Sequence, residues 1–202
     1  MKQKTIYFAF IGILSTMLLV RCQNNPQVKV ADAATGPNYG GYESAEQWGQ
    51  HIVTVSGCHD CHSPKKMTAM GPQIDSTMLL SGHPAQMPDF DVNRKETEAK
   101  GLVTTQDLTA WAGPWGVSYT ANLTSDSTGI GTWTEGQFMY AIRNGKYKGL
   151  ENSRPLLPPM PWEMYRNFSD DELKSIFAYL KSTKPIRNIV PAPKPPMVAA
   201  SH

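Results

Sequence analysis

The 202-residue sequence has few cysteines and no marked excess of charge of one sign. There are 19 Lys and Arg residues against 17 Asp and Glu residues, which gives a net charge of +2. This balance, together with the lack of a basic stripe or a phosphate-binding glycine loop, argues against a nucleic-acid partner. Internal repeats are also lacking, so the folded part is expected to be one domain.

The sequence also lacks an apolar run long enough to span a membrane. Residues 6–20 form an apolar run behind a basic start, and it is shorter than the ~20 residues that a span needs. This pattern predicts a signal peptide over residues 1–21. Cys22 follows a segment that resembles a lipoprotein cleavage box, although Arg21 stands where a small residue is expected. We predict lipidation at Cys22, with ordinary cleavage or an uncleaved anchor as alternatives; all three imply export.

Composition divides the rest of the chain into three parts. Residues 22–39 are small and polar, which is typical of a flexible tether. Residues 40–191 carry the apolar periodicity expected of a folded domain. Residues 192–202 include several prolines and predict an extended tail. The sequence thus predicts a domain held by its tether at the periplasmic side of a bacterial membrane.

The most informative motif is Cys58-His59-Asp60-Cys61-His62. The spacing C-x-x-C-H is typical of a c-type haem attachment site. Cys58 and Cys61 are predicted to bind one haem covalently through thioethers, and His62 to ligate its iron. Because the motif uses two of the three cysteines, no pair remains for a structural disulfide.

Two other interpretations of the cysteine pair have less support than haem attachment. A redox dithiol belongs near a βαβ pattern, and no run of buried strands surrounds the motif. A zinc site with His51, His59 or His62 usually needs a second ligand pair at matching spacing. The only other cysteine lies in the targeting region.

The periodic segments of the domain predict helices. One begins after Glu43 with Ser44 as its cap and ends near Gly57, and a second covers about 135–145, between Thr134 and Gly145. A third begins at a capping box at Ser169 and ends before Lys184-Pro185. Residues 65–120 are rich in loops, and no strand can be assigned there. The predicted fold class is all-α with long loops.

The sixth position on the iron is assigned to Met160. This residue lies in the segment Leu157-Pro158-Pro159-Met160-Pro161-Trp162, whose prolines hold the backbone in one path. Methionine is a frequent sixth ligand in cytochromes c, with Met87 and His83 as the alternatives here. The carbonyl of Pro64 is predicted to accept a hydrogen bond from the other ring nitrogen of His62.

Taken together, these segments resemble class I cytochromes c, and more narrowly a bacterial exported monohaem branch similar to cytochrome subunits of periplasmic dehydrogenases. The resemblance covers about residues 40–191. The motifs that carry it are Gly49-Gln50-His51-Ile52-Val53, Leu80-Ser81-Gly82-His83-Pro84, Trp111-Ala112-Gly113-Pro114-Trp115-Gly116, Asn122-Leu123-Thr124, Gly129-Ile130-Gly131-Thr132-Trp133-Thr134 and Leu157-Pro158-Pro159-Met160-Pro161-Trp162.

The resemblance implies a mostly helical cytochrome c fold whose first and last helices cross near the haem. Gly49 would lie at that crossing, against Phe177 or Tyr179. The family pattern also implies that the C-x-x-C-H residues and Met160 hold the haem. Trp133 matches a position where the side chain donates a hydrogen bond to a haem propionate.

The function implied is one-electron transfer, because a haem ligated on both faces has no open site for substrate. The redox partners expected are a dehydrogenase, a quinol-oxidising complex or a terminal oxidase. The main alternative is a haem enzyme with a displaceable distal ligand, for which His83, Arg143 and Glu163 could be recruited. A redox or gas sensor would require an output partner outside this chain.

Overall fold

The computed structural model describes residues 38–197. The α-helices of this part are α1 (Ala45–Val55), α2 (Cys58–His62), α3 (Arg94–Ala99), α4 (Glu135–Asn144), α5 (Trp162–Tyr165) and α6 (Asp170–Ser182). The strands are β1 (Lys65–Thr68), β2 (Gly71–Ile74), β3 (Thr104–Gln106), β4 (Ala110–Gly113) and β5 (Gly116–Tyr119). No helix within these residues is long and apolar enough to cross a membrane. The predicted signal peptide and Cys22 lie outside them.

The three predicted helices are confirmed, and side-chain caps define where they begin. Ser44 accepts from the backbone N–H of Gln47 at the start of α1. Thr134 and Ser169 form complete capping boxes at the starts of α4 and α6. Gly145 ends α4 in the left-handed conformation, with φ of 60°. These boundaries depend on hydrogen bonds between residues three apart, which is why the sequence predicts them well.

The core forms where α1 packs against α6. A Cβ atom added at Gly49 would lie 1.9 Å from the carbonyl oxygen of Ser175 and 2.9 Å from Cβ of Tyr179. This confirms that Gly49 lies at the helix contact, against Tyr179 and not Phe177. The buried apolar side chains of the core are Ile52, Val53, Leu80, Ile130, Phe138, Leu173, Ile176 and Leu180.

The prediction of an all-α fold is wrong. Helix accounts for 32% and strand for 14% of the described structure, and the strands form two antiparallel sheets. One is the hairpin of β1 and β2; the other has the order β3-β4-β5. Each strand has three or four residues, too few for an alternating pattern to be recognised in the sequence. The turn Pro114-Trp115 joins β4, which ends in Gly113, to β5, which begins with Gly116.

The C-terminal segment follows the second sheet without forming a regular element. Val117 of β5 and Lys194 exchange two backbone hydrogen bonds of 2.9 Å each. Further back, the buried side chain of Asn188 donates to the carbonyls of Ser81 (2.7 Å) and His83 (2.9 Å). The part of the proline-rich end that the structure describes is therefore tied to the domain by hydrogen bonds.

Candidate cofactor site

The C-x-x-C-H motif forms the short helix α2. Gly57 precedes it with φ of 70°, a conformation that favours glycine, and so turns the chain between α1 and α2. Cys58, Cys61 and His62 are spaced i, i+3 and i+4 and therefore share one face of the helix. Both cysteines are half-buried and unpaired, while His62 is 9% exposed. The motif thus presents two sulfurs and one imidazole toward the same side.

The ring of His62 is held by a backbone carbonyl 59 residues further along the chain. Its Nδ1 lies 2.8 Å from the carbonyl oxygen of Ala121. This contact leaves Nε2 as the ring nitrogen available to a ligand. The prediction for the Pro64 carbonyl is corrected here: that oxygen accepts from the backbone N–H of Asp75 at 2.8 Å. The carbonyl that orients the ring is supplied by tertiary packing.

One large cavity of about 810 Å³ lies beside this motif. Its volume falls in the range of about 300–1,000 Å³ that is usual for small-molecule and cofactor sites. Of the residues singled out from the sequence, the cavity is lined by Cys58, Cys61, His62, Trp133 and Met160.

Met160 is the only methionine among the described residues that line the cavity. Met87, His51, His59 and His83 do not line it. His83 is buried elsewhere, with Nδ1 2.9 Å from the hydroxyl of Thr109. Of the ligand candidates identified in the sequence for the position opposite His62, the structure therefore brings Met160 alone to the cavity.

The loop that carries Met160 is anchored on both sides. Before it, the N–H of Leu156 donates to the carbonyl of Gly145 at 2.7 Å. After it, the Tyr165 hydroxyl donates to the carbonyl of Ser56 at 2.6 Å, which joins α5 to the end of α1. The first anchor connects this loop to the end of α4, and the second connects it to the end of α1, next to the C-x-x-C-H motif.

Comparison with known proteins finds sequence similarity to subunits of dehydrogenases. No family model matches the chain. It is 36% identical over 42% of its length to the fructose dehydrogenase cytochrome subunit of Gluconobacter japonicus. It is 39% identical over 34% of its length to the gluconate 2-dehydrogenase cytochrome c subunit of Pantoea cypripedii. These relatives are cytochrome subunits of dehydrogenases.

A longer similarity, at lower sequence identity, covers most of the chain. It is 26% identical over 93% of its length to a nicotinate dehydrogenase subunit of Pseudomonas putida. The chain spans 12% of that protein, 17% of the fructose dehydrogenase cytochrome and 15% of the gluconate 2-dehydrogenase cytochrome. Together these similarities support a cytochrome c-like subunit.

The electrostatics of the cavity favour an anionic occupant. Within residues 38–197, no Asp or Glu lines it, whereas Lys148 and Arg154 do. The Arg154 guanidinium lies 4.0 Å from the ring centroid of Tyr147, which restricts its position. Burial lowers the pKa of Arg154, but an arginine remains charged in any ordinary protein environment. The described part of the cavity wall therefore carries fixed positive charge without a compensating carboxylate.

Burial also sets the protonation of the motif itself. It raises the pKa of Cys58 to about 11 and raises that of Cys61, and it lowers the pKa of His62. At neutral pH the two sulfurs are therefore thiols and the imidazole is neutral. A redox dithiol would instead need a stabilised thiolate.

Among residues 38–197, no group of three or more His, Cys, Asp or Glu side chains is placed to hold a metal ion, so these residues do not assemble the zinc site considered above.

Sequence reasoning missed several residues of the site. Ala121 acts through its backbone and carries no chemical signal in the sequence. The only feature of Lys148 and Arg154 in the sequence that points to the site is that they are basic residues shortly before the Met160 loop. Ser118 was missed because β5 was not predicted as a strand. Each of these depends on contacts between segments distant in sequence.

Proposed function

We propose that this protein is an exported monohaem c-type cytochrome that carries single electrons between a dehydrogenase and a further redox partner. The observation that carries the proposal is that Cys58, Cys61, His62 and Met160 all line one cavity of about 810 Å³. These are the groups needed for covalent attachment and for two axial ligands. The similarity to cytochrome subunits of dehydrogenases supports the same assignment.

The residues present fit haem c in donor set and charge. Cys58 and Cys61 would form the two thioethers by adding S–H across the two vinyl groups of the haem, so that each sulfur binds one vinyl carbon and its hydrogen goes to the other. His62 would ligate the iron through Nε2, while Nδ1–H donates to Ala121. A hydrogen bond from the ring nitrogen that does not bind the metal fixes the orientation of the ring and raises its basicity as a ligand. Met160 would supply the sixth ligand, a thioether that raises the reduction potential.

The cavity wall contributes orientation and charge compensation. Lys148 and Arg154 would compensate the two propionates, and Trp133 would donate a hydrogen bond to one of them. The apolar core beside the cavity keeps water from the ring and so holds the local dielectric low. When bound, haem c supplies a one-electron couple between ferric and ferrous iron. If His62 and Met160 both held its iron, no position on the iron would be left for a substrate.

The haem-enzyme alternative lacks the acid–base groups that were proposed for it. None of His83, Arg143 and Glu163 lines the cavity. Arg143 instead forms an ion pair with Asp170 at 2.6 Å. General acid–base catalysis needs a group within hydrogen-bond reach of the reacting atoms. Electron transfer therefore fits this cavity better than a reaction at an open iron.

The partner and the location follow the same proposal. The protein would accept electrons from a dehydrogenase, or exchange them with a quinol-oxidising complex or a terminal oxidase. Contact with such partners is expected through a small transient interface. We place the domain at the periplasmic side of a bacterial membrane, anchored by a lipid at Cys22.

A matched pair of methionine variants tests the ligand assignment. The exported holoprotein should show a six-coordinate, low-spin spectrum in both oxidation states, with a weak thioether-to-iron band when oxidised. Met160→Ala should remove that band and lower the reduction potential. Met87→Ala, a methionine outside the cavity, should keep both. Loss of the band in Met87→Ala but not in Met160→Ala would refute the assignment.

A further inference from the structure

We propose that Ser118 is a positioning residue that holds Met160 in place through the carbonyl of Pro158. This inference rests on the proposed function, because it assigns to the second sheet a role in holding the sixth ligand. It concerns a part of the chain, β3-β4-β5, that lies far from the C-x-x-C-H motif in sequence. The sheet contacts the methionine loop through the hydroxyl of Ser118.

The contact is short, and its donor is buried. Ser118 is 6% exposed, and its hydroxyl donates to the carbonyl oxygen of Pro158 at 2.6 Å. The hydroxyl oxygen of Ser118 in turn accepts from the indole Nε1–H of Trp115 at 3.1 Å. An indole N–H can only donate, so the single proton of the serine hydroxyl is committed to Pro158. The two bonds form a chain in which each polarises the other.

Local packing holds in place Trp115, the first donor in this pair of hydrogen bonds. The Trp115 ring lies over Gly113, where an added Cβ atom would come within 2.6 Å of a ring carbon. Only a residue without a side chain leaves that space. On the other side, β5 is paired with β4 and bridged to Lys194, so Ser118 lies on a strand held at both edges. The hydroxyl is therefore presented from a rigid element.

The methionine loop needs this anchor because it has few backbone donors. Pro155, Pro158, Pro159 and Pro161 have no N–H. The N–H of Met160 is used within the loop, donating to the carbonyl of Leu157 at 3.3 Å. The Pro158 carbonyl is thus the point, two residues before Met160, at which another element holds the loop. Without Ser118, the nearest anchor on this side of Met160 would be the N–H of Leu156, four residues away.

The test measures how easily an external ligand displaces Met160 from the ferric holoprotein. Imidazole is titrated against wild type, Ser118→Ala and Trp115→Phe, and binding is followed through loss of the thioether-to-iron band. The net contribution of one hydrogen bond corresponds to a factor of about two to ten in an equilibrium constant. Ser118→Ala should therefore bind imidazole about two- to tenfold more tightly than wild type. Trp115→Phe should shift in the same direction by less.

The matched control is Ser125→Ala. Ser125 also donates to a backbone carbonyl, that of Thr183 at 2.5 Å, and does not line the cavity. Its loss should change folding stability but leave imidazole affinity within about twofold of wild type. Ser118→Thr, which keeps the hydroxyl, should restore affinity toward wild type.

The outcomes separate the two proposals. If Ser118→Ala and Ser125→Ala bind imidazole equally well, with the thioether band intact in wild type, the positioning role is wrong and the proposed function stands. If Ser118→Ala fails to fold, Trp115→Phe decides, and an unchanged affinity there overturns the inference. If wild type itself binds haem without a thioether ligand, both the role of Met160 and the positioning role fall.

Discussion

The Nδ1 atom of His62 lies 2.8 Å from the carbonyl oxygen of Ala121, across 59 residues of sequence. This contact places the loop after β5 directly behind the proposed iron ligand. Next to it, the N–H of Gly82 donates to the His62 carbonyl at 2.8 Å. The histidine is thus held at its backbone and at its ring by two different segments.

The first prediction concerns Gly82, which packs against the segment that orients His62. A Cβ atom at Gly82 would lie 2.5 Å from the Thr120 carbonyl oxygen and 2.6 Å from the carbonyl carbon of Ala121. Gly82→Ala should therefore push the Ala121 carbonyl away from the ring. A weaker hydrogen bond lowers the basicity of the ligand, so the reduction potential should rise, as measured by redox titration of the holoprotein.

The control for Gly82 is Gly101→Ala. The two glycines have similar positive φ values, 76° and 66°, but an added Cβ atom at Gly101 meets nothing within 4 Å. Gly101→Ala therefore tests the effect of placing alanine at a positive φ without a steric clash against a neighbouring segment. Equal potentials in the two variants would contradict the role given to Ala121.

A second prediction tests the helix contact between α1 and α6. Gly49→Ala places a methyl group 1.9 Å from a backbone oxygen of α6, so the helices must separate. Overpacking of this kind typically costs about 1–3 kcal/mol. Gly136→Ala, in the first turn of α4, meets only Thr134 at 4.0 Å and should stabilise by up to about 1 kcal/mol. Denaturant unfolding of the two variants should therefore shift in opposite directions.

A third prediction concerns pH and the buried side chain of His83. Its exposed fraction is 2%, and burial lowers its pKa. Below the unfolded pKa of about 6.5 the unfolded chain binds a proton here that the folded chain resists. Stability from this residue is therefore full above about pH 6.5 and is lost as the pH falls. His83→Gln should show a smaller drop in melting temperature between about pH 7.5 and about pH 5.5 than wild type. An unchanged drop would contradict the prediction.

The fourth prediction tests the positive charge on the cavity wall. Arg154→Gln removes a cation that favours the reduced, less positive iron, so the reduction potential should fall by an amount on the order of tens of millivolts. Arg166→Gln provides the control, because Arg166 also stacks on an aromatic ring, 5.6 Å from the Trp162 centroid, but does not line the cavity. A larger fall in the control would place the relevant charge elsewhere.

Local sequence patterns predict where the main helices of this fold begin. Ser44, Thr134 and Ser169 were identified as helix caps because a cap bonds to a residue three positions away. Gly49 was placed correctly at the contact of the first and last helices by family resemblance. In each case the relevant signal lies in a short, contiguous motif.

What could not be predicted depends on contacts across the fold. The strands β4 and β5 are too short to show alternation, and they are stabilised by pairing with each other and with Lys194. The carbonyl behind His62 was assigned to Pro64 because Pro64 is close in sequence, whereas packing brings Ala121 there. Ser118 acquires its partner, Pro158, only when the second sheet meets the methionine loop. Local sequence has no information on such pairs.

Mass spectrometry of the denatured exported protein shows whether one haem is covalently attached to Cys58 and Cys61. The mature wild-type polypeptide should carry the additional mass of one haem. Cys58→Ser/Cys61→Ser should carry none, and the control His51→Gln should retain it. A properly matured wild-type protein that is colourless, or that releases all its porphyrin on denaturation, would contradict covalent attachment.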